Sequence, residues 1–466
     1  MHVVRRQALA ELHRRLKDAQ RRDLADGGAT VALELCKELG LLVKSVDETN
    51  EEGEPPLVAA ASGGNVWALE LLLAAGCKVG SDALHRASVL GHTGSVACLV
   101  EAGADVHAKT EAGETCLTLA ARAGQREVVK YLAEKGRQGL VLAVGSDGRS
   151  CAYMAAEQGH NDALRVLIDA GGKELVMLRE KEGVSCAVIA SRNGRVVALK
   201  MLLEVGGKEL VMLTKNTGVS CAYMASQNGH VEALRVLIEA GGKEVLMLTS
   251  LDGVSCAYMA SQNGHVQDGH VEALRVLIQA GGKELLMLRD EDGVSCAHMA
   301  SQNGHVEVLR MLIDAGGKEL LMQTDNDGWS CAFMASRNGH AEALRVLIEA
   351  GGKELLMLTD KDGVSCAHVA SQNGHVEALR VLIEAGGKEL LMLTSIDGVS
   401  CADMASQNGH AEALRMLIEA GGKELLTLQS NSGSSCADFA LTKGHAEALR
   451  VLQELSGEGD GGRQAG

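Results

Sequence analysis

The strongest constraint on the fold of this 466-residue chain is the interval between its cysteines. Those at 116, 151, 186, 221 and 256 stand 35 residues apart, a 40-residue step leads to Cys296, and 331, 366, 401 and 436 resume the interval of 35. A fixed period of this size marks a repeat architecture, a solenoid or a propeller, and displaces the expectation of several independent cores for so long a chain.

The content of the period selects between the two. In residues 218–252, GVSCAYMASQNGHVEALRVLIEAGGKEVLMLTSLD, Ser220 stands where an N-cap belongs and CAYMASQN follows as a short helix. Gly229 suits the left-handed position that ends a helix. His230 then opens a second helix, with Val231, Leu234 and Ile238 on one face and Ala233 and Leu237 beside them, and Gly241 and Gly242 stop it. KEVLMLTSLD reads as an apolar half-turn or extended arm leading to an Asp-Gly turn. The unit is helix–turn–helix–loop with no four-strand pattern, so a propeller is excluded. One such unit cannot bury its apolar face alone, but stacked neighbours can. The fold class expected is an all-α solenoid of stacked helix–turn–helix repeats with short hairpin or extended arms.

The frame G-x-S-C-A-x-M-A-S-x-x-G-H-x-x-A-L-x-x-L-I-x-A-G-G resembles the ankyrin repeat, whose pattern is G-x-T-P-L-H-x-A-A-x-x-G-H followed by a leucine-rich helix and a glycine. Residues 80–103 keep Leu84, His85, Ala87, Gly91, His92 and Gly103, and Gly80 and Gly113 are 33 residues apart. Residues 53–79 look like a shortened unit. The resemblance runs over about residues 53–455. Most units put Ser-Cys-Ala-x in place of Thr-Pro-Leu-His and add two residues to the arm. They thereby lose a proline pre-organised for the first helical turn. The resemblance implies recognition of proteins by the first-helix face and the arm tips.

The repeated cysteine and histidine invite a chemical reading, which the spacing resists. They lie at opposite ends of the first helix, about 13 Å apart, whereas zinc needs ligands within about 2.0–2.3 Å. Equivalent cysteines of neighbouring units should stand about 8–10 Å apart, too far for a disulfide. No C-x-x-C pair occurs in the array. Each cysteine therefore reads as a small buried residue, and each Gly-His imidazole as a hydrogen-bonding group that fixes its turn. No metal, cofactor or catalytic residue is expected. The alternative is a thiol-based redox sensor or metal buffer built on the cysteine ladder.

Candidate binding residues come from positions that differ between units. The second residue after each repeat cysteine is Tyr153, Val188, Tyr223, Tyr258, His298, Phe333, His368, Asp403 or Asp438. Such variety argues against deep burial, and the ankyrin resemblance places this slot on the concave groove; a partly buried packing position is the other reading. The arm tips also vary, as at 249–251, 324–326 and 359–361. Trp329 replaces a residue that is mostly valine and would sit beside Phe333, either as a binding hot spot or as a packing variant. The methionines at 154, 224, 259, 299, 334 and 404 read as core filler.

The net charge of −16 is the wrong sign for tracking phosphates, and no apolar run is long enough to span a bilayer. Thirteen cysteines without a signal sequence point to a reducing compartment, the cytoplasm, with the nucleus also compatible. The expected organisation is an amphipathic helix over 1–26, a degenerate helical segment and acidic loop over 27–52, ankyrin-like repeats over 53–112, modified repeats over 113–455 and a disordered tail over 456–466. The long step arises from GHVQDGHVEAL, 264–274, whose five extra residues should bulge between two helices. The function expected is a non-catalytic scaffold for other proteins, with oligomeric state left open. A recent repeat expansion without a specialised partner fits the near-identity of the units equally well.

Overall fold

A computed structural model describes residues 55–74, 77–264 and 269–456. The expected helix over 1–26, the segment 27–52 and the tail beyond Ser456 lie outside the described residues. The chain forms two compact units, Met1–Asn216 and Thr217–Gly466. Both are built from the same helix pair, and among the described residues β-structure is limited to isolated bridges. The architecture is the all-α solenoid that the period implies.

Residues around Trp329 illustrate how the sequence makes one repeat. Ser330 takes an extended conformation and its Oγ accepts the N–H of Phe333 at 3.2 Å, which satisfies a free donor at the helix start. The helix Cys331–Arg337 follows, with every side chain from Cys331 to Ser336 buried. A helix of two turns has little stability in water; this one persists because its neighbours enclose it. The fully buried Ala332 and Ala335 let it lie close to the first helices of the flanking repeats, Cys296–Gln302 and Cys366–Gln372. The second helix, Ala341–Gly351, turns Ala343, Leu344, Val346 and Leu347 inward and Glu342, Arg345 and Glu349 outward. Each buried leucine contributes about 1.5–3 kcal/mol, and the same row recurs in each repeat.

The glycine pair redirects the chain rather than only stopping it. Val306–Leu321 passes through a kink at Gly317, where φ is 68° and ψ −169°, a conformation open essentially to glycine alone. A Cβ on the preceding Gly316 would lie 2.7 Å from Cδ2 of Leu320. The turn after the kink is helical and returns Leu320 and Leu321, fully buried, to the core. The arm expected as a half-turn or extended segment thus begins with a helical turn. In one repeat Arg137 holds the kink position with φ 52°, the single non-glycine positive φ among the described residues.

Beyond that turn the chain makes an isolated antiparallel bridge, such as Thr324↔Ser330, and its tip bonds to the arm before it. In the second unit the N–H groups of Glu291, Asn326, Lys361, Ile396 and Asn431 donate to the carbonyls of Asp252, Asp292, Asp327, Asp362 and Asp397 at 2.8–3.0 Å. In the first unit Ser146, Lys181 and Asn216 donate in the same way to Ala112, Asp147 and Glu182. Five lysines of the Gly-Gly-Lys-Glu turns in the second unit reach the glutamate of the next: Lys243 to Glu284, Lys283 to Glu319, Lys318 to Glu354, Lys353 to Glu389 and Lys388 to Glu424. These pairs are solvent-exposed and add little to stability, but they neutralise that row of acids.

The duplicated Gly-His-Val divides its tasks. His270 Nε2 donates to the Gln227 carbonyl of the preceding repeat at 3.0 Å, while Gly264 leaves room for His305 of the following repeat, 2.5 Å from where a Cβ would stand. The extra residues therefore fall between Cys256–Asn263 and His270–Leu286, in the turn expected to hold them; 265–268 lie outside the described residues.

Candidate docking surface

The slot two residues after each cysteine is not an open face. Tyr153, Val188, His298, Phe333, His368 and Asp403 are buried, Tyr223 and Tyr258 half-buried, and Asp438, in the last described repeat, exposed. The expectation of an exposed recognition slot is corrected, because the arm of the following repeat covers it. His298 Nε2 donates to the Trp329 carbonyl and His368 Nε2 to the Val399 carbonyl, both at 3.0 Å. On its other edge His298 Nδ1 accepts the Ser295 N–H at 3.2 Å and lies 2.8 Å from the Ser295 hydroxyl. An N–H can only donate, so Nδ1 is bare and the proton sits on Nε2. Burial holds this imidazole down at about 4 and lowers that of His368 as well. Asp403 caps its helix in the same manner: Oδ2 accepts the N–H and hydroxyl of Ser400, both at 2.8 Å, and Oδ1 the Cys436 thiol at 3.1 Å. Variety at this slot reflects several ways of filling one enclosed space.

The methionines follow the same rule only in part. Those at 154, 259, 299 and 334 are buried, whereas Met224 and Met404 are half-buried.

The array cysteines are enclosed too. The thiols of Cys151, Cys186 and Cys256 donate to the carbonyls of Val141, Val176 and Leu246 at 3.1–3.4 Å. Burial pushes Cys151, Cys256, Cys296, Cys331, Cys366 and Cys401 up to about 12. A thiolate, the form that attacks peroxide or binds zinc, is therefore scarce at neutral pH. Among the cysteines of the described residues, a thiol reagent added to the native protein is expected to label the half-buried Cys77 and Cys98 first. The array cysteines should react only as fast as the repeats open. Mass mapping that finds Cys296 labelled as fast as Cys98 would contradict this burial.

The Gly-His imidazoles bond across repeats, not within their own turn as expected. His305, His340, His375, His410 and His445 reach the carbonyls of Gln262, Gln302, Arg337, Gln372 and Gln407 at 2.9–3.1 Å. A carbonyl only accepts, so Nε2 donates in each. In the first unit Gln125 and Arg195 do the same work, donating to Val89 and Glu157. Any donor of suitable reach serves, and the imidazole is used for its N–H rather than its basicity.

What remains open is the arms. The residue whose N–H binds the preceding arm is exposed in each repeat: Ser146, Lys181 and Asn216 in the first unit, and Leu251, Glu291, Asn326, Lys361, Ile396 and Asn431 in the second. Leu251 and Ile396 are 69% and 66% exposed, unusual for large aliphatic side chains. At one arm root Trp329 is half-buried, its backbone N–H donating to Asp325 Oδ1 at 2.8 Å. Its ring stacks on the buried Phe333 with centroids 5.2 Å apart and an interplanar angle of 11°, and the Arg337 guanidinium lies 4.8 Å from its centroid. The neighbours foreseen from spacing do meet, with Phe333 as the support and Trp329 as the partly open member.

The family described as "Ankyrin repeats (3 copies)" matches residues 29–110, 84–178, 260–357 and 318–392. No curated protein matches the sequence. The matched segments together span more than half of the chain, and they carry the helix pairs, knitted arms and Gly-His bonds described above. The chain belongs to the ankyrin-repeat family.

Proposed function

We propose that the chain is a non-catalytic protein-binding array of a reducing compartment, the cytoplasm or the nucleus, and that partner proteins dock on its arm tips and the adjoining part of the first helices. Ankyrin repeats are generally protein–protein interaction modules. The observation that carries the reading here is where the repeats differ. Along a framework of almost identical caps, glycines and leucines, the exposed tip position changes from Lys to Asn, Leu, Glu and Ile while its N–H stays bonded to the arm before it. A rigid scaffold with varied outward side chains suits recognition. Trp329, Tyr223 and Tyr258 are the aromatic members of this surface; Phe333, His298, His368 and Asp403 hold it up from beneath. The thiol-sensor alternative needs accessible thiolates, and the buried, carbonyl-bonded thiols disfavour it.

The test is a random peptide-display library panned on the full chain. Its enriched peptides are then measured on a variant carrying Trp329→Val, Leu251→Asn and Ile396→Asn. Valine is the residue of the Trp329 position in neighbouring repeats, at 294 and 364, and asparagine occupies the tip at 326 and 431, so each change copies a neighbour. Enriched peptides should weaken by about tenfold or more on the variant, as expected for loss of an aromatic anchor. Equal binding to both proteins would remove this surface from the proposal.

A further inference from the structure

The two units differ in the charge of their arms. In the first, the corresponding residues 144–147, 179–182 and 214–216 hold three acids, Asp147, Glu180 and Glu182, against three bases, Arg179, Lys181 and Lys215. In the second, the consecutive arms 289–292, 324–327 and 359–362 hold seven acids against two bases, Arg289 and Lys361. The six aspartates among them divide into two kinds. Asp290, Asp325 and Asp360 turn an Oδ1 back onto their own arm, accepting the N–H groups two and four residues on. Asp292, Asp327 and Asp362 are exposed, and among the described residues their carboxylates accept no hydrogen bond and meet no basic side chain within ion-pair distance. The backbone bonds from Asn326 to Asp292 and from Lys361 to Asp327 set these arms side by side. Their charges are felt locally: the Asp290 carboxyl is raised by burial first, then by Asp292 and by Asp325 of the next arm.

The acids of the Gly-Gly-Lys-Glu row are in the opposite condition, each paired with a lysine. Unpaired acids of this region thus stand on the arms, where Trp329 also is, and, more widely spaced, at Glu307, Asp314 and Glu349 of the second helices. That ring already accepts one guanidinium, from Arg337, so its face suits cations. We infer that the arms around Trp329 dock a basic, lysine- or arginine-bearing peptide segment of a partner protein. The carboxylates of Asp292, Asp327 and Asp362 meet its positive side chains, and the Trp329 ring holds one of their stems or guanidinium planes. This rests on the docking function proposed above and specifies its partner's chemistry. Electrostatic complementarity of this kind supplies specificity and association rate.

The experiment uses the full chain, short fluorescein-labelled peptides alternating serine with lysine, arginine or glutamate, and the library-selected peptides. Three proteins are compared: the unaltered chain, Asp292→Asn/Asp327→Asn/Asp362→Asn, and Glu319→Gln/Glu354→Gln/Glu389→Gln. The last removes the same charge from the paired row, and far-UV circular dichroism verifies that all three are folded. Lysine and arginine peptides should bind the unaltered chain and the glutamine variant alike, and weaken by about tenfold or more on the asparagine variant and in salt that shortens the screening length to about 3 Å. The glutamate peptide should not bind. Equal weakening on both variants, or none on either, overturns the inference. Library peptides that need Trp329 and the tips but carry no excess of basic residues overturn it too, while leaving the docking function standing. Failure to select any peptide dependent on this surface overturns the docking function itself.

Discussion

Lowering the pH from about 7 to about 4 should destabilise the second unit by roughly 3 kcal/mol through His298 alone, with His368 adding in the same direction. An imidazole in the unfolded chain titrates near 6.5, whereas burial holds His298 at about 4. Between those values the unfolded chain binds a proton that the folded one refuses. The stabilisation is complete above about 6.5 and is lost as pH falls toward 4. The geometry makes the refusal specific. A proton on Nδ1 would face the Ser295 N–H, while Nε2 is committed to the Trp329 carbonyl. Asp325 near His298, and Asp360 and Asp403 near His368, pull the other way without overcoming burial; Arg289 assists it. Urea unfolding at both pH values, compared with a His298→Tyr/His368→Tyr protein, isolates the effect. Tyrosine is the residue of this slot at 223 and 258, and carboxylate titration is common to both proteins. Identical acid losses in the two would sink the explanation.

Gly304→Ala should cost about 3 kcal/mol, and Gly444→Ala only about 1 kcal/mol, although both glycines end a first helix in the left-handed region, with φ of 68° and 77°. The shared part is the penalty of an L-residue at that φ. The difference is the histidine of the next repeat. A Cβ on Gly304 would stand 2.6 Å from His340 Nδ1, and that ring is tied to the Gln302 carbonyl, whereas a Cβ on Gly444 meets nothing within 4 Å. Denaturant melts of the two single variants measure the gap. Adding His340→Ala to Gly304→Ala should recover the steric part, so a double-mutant cycle without coupling would refute this account.

The parts of the fold governed by one residue and its near neighbours were legible in the sequence. Ser330 as a cap, Gly304 as a helix end and the leucines of the second helix each follow from a local rule. The enclosed slot was not, because its cover arrives from the following repeat: His298 and the Trp329 carbonyl are 31 residues apart. Helix-face reasoning within one repeat cannot see that arm, and variety at the slot imitates the variety of a surface. A signal was present all the same. Ser400-Cys401-Ala402-Asp403 fits the reciprocal cap of a helix start, and His298 and His368 stand where the ankyrin pattern has its histidine. The Trp329–Phe333 stack was foreseeable from their spacing of four, but which ring would be the buried one depended on the same covering arm.

The arm-to-arm backbone bond has a further consequence. Within each unit, every arm-to-arm bond described above is made with the repeat immediately before, through main-chain atoms that any residue supplies. A whole 35-residue segment could thus be gained or lost without redesigning the surfaces that meet across the cut, and the chain could nucleate its structure at many places and extend it by steps. The split duplication at Gly264 and His270 is a smaller case of that tolerance, in which extra residues stand between two joints and leave both intact.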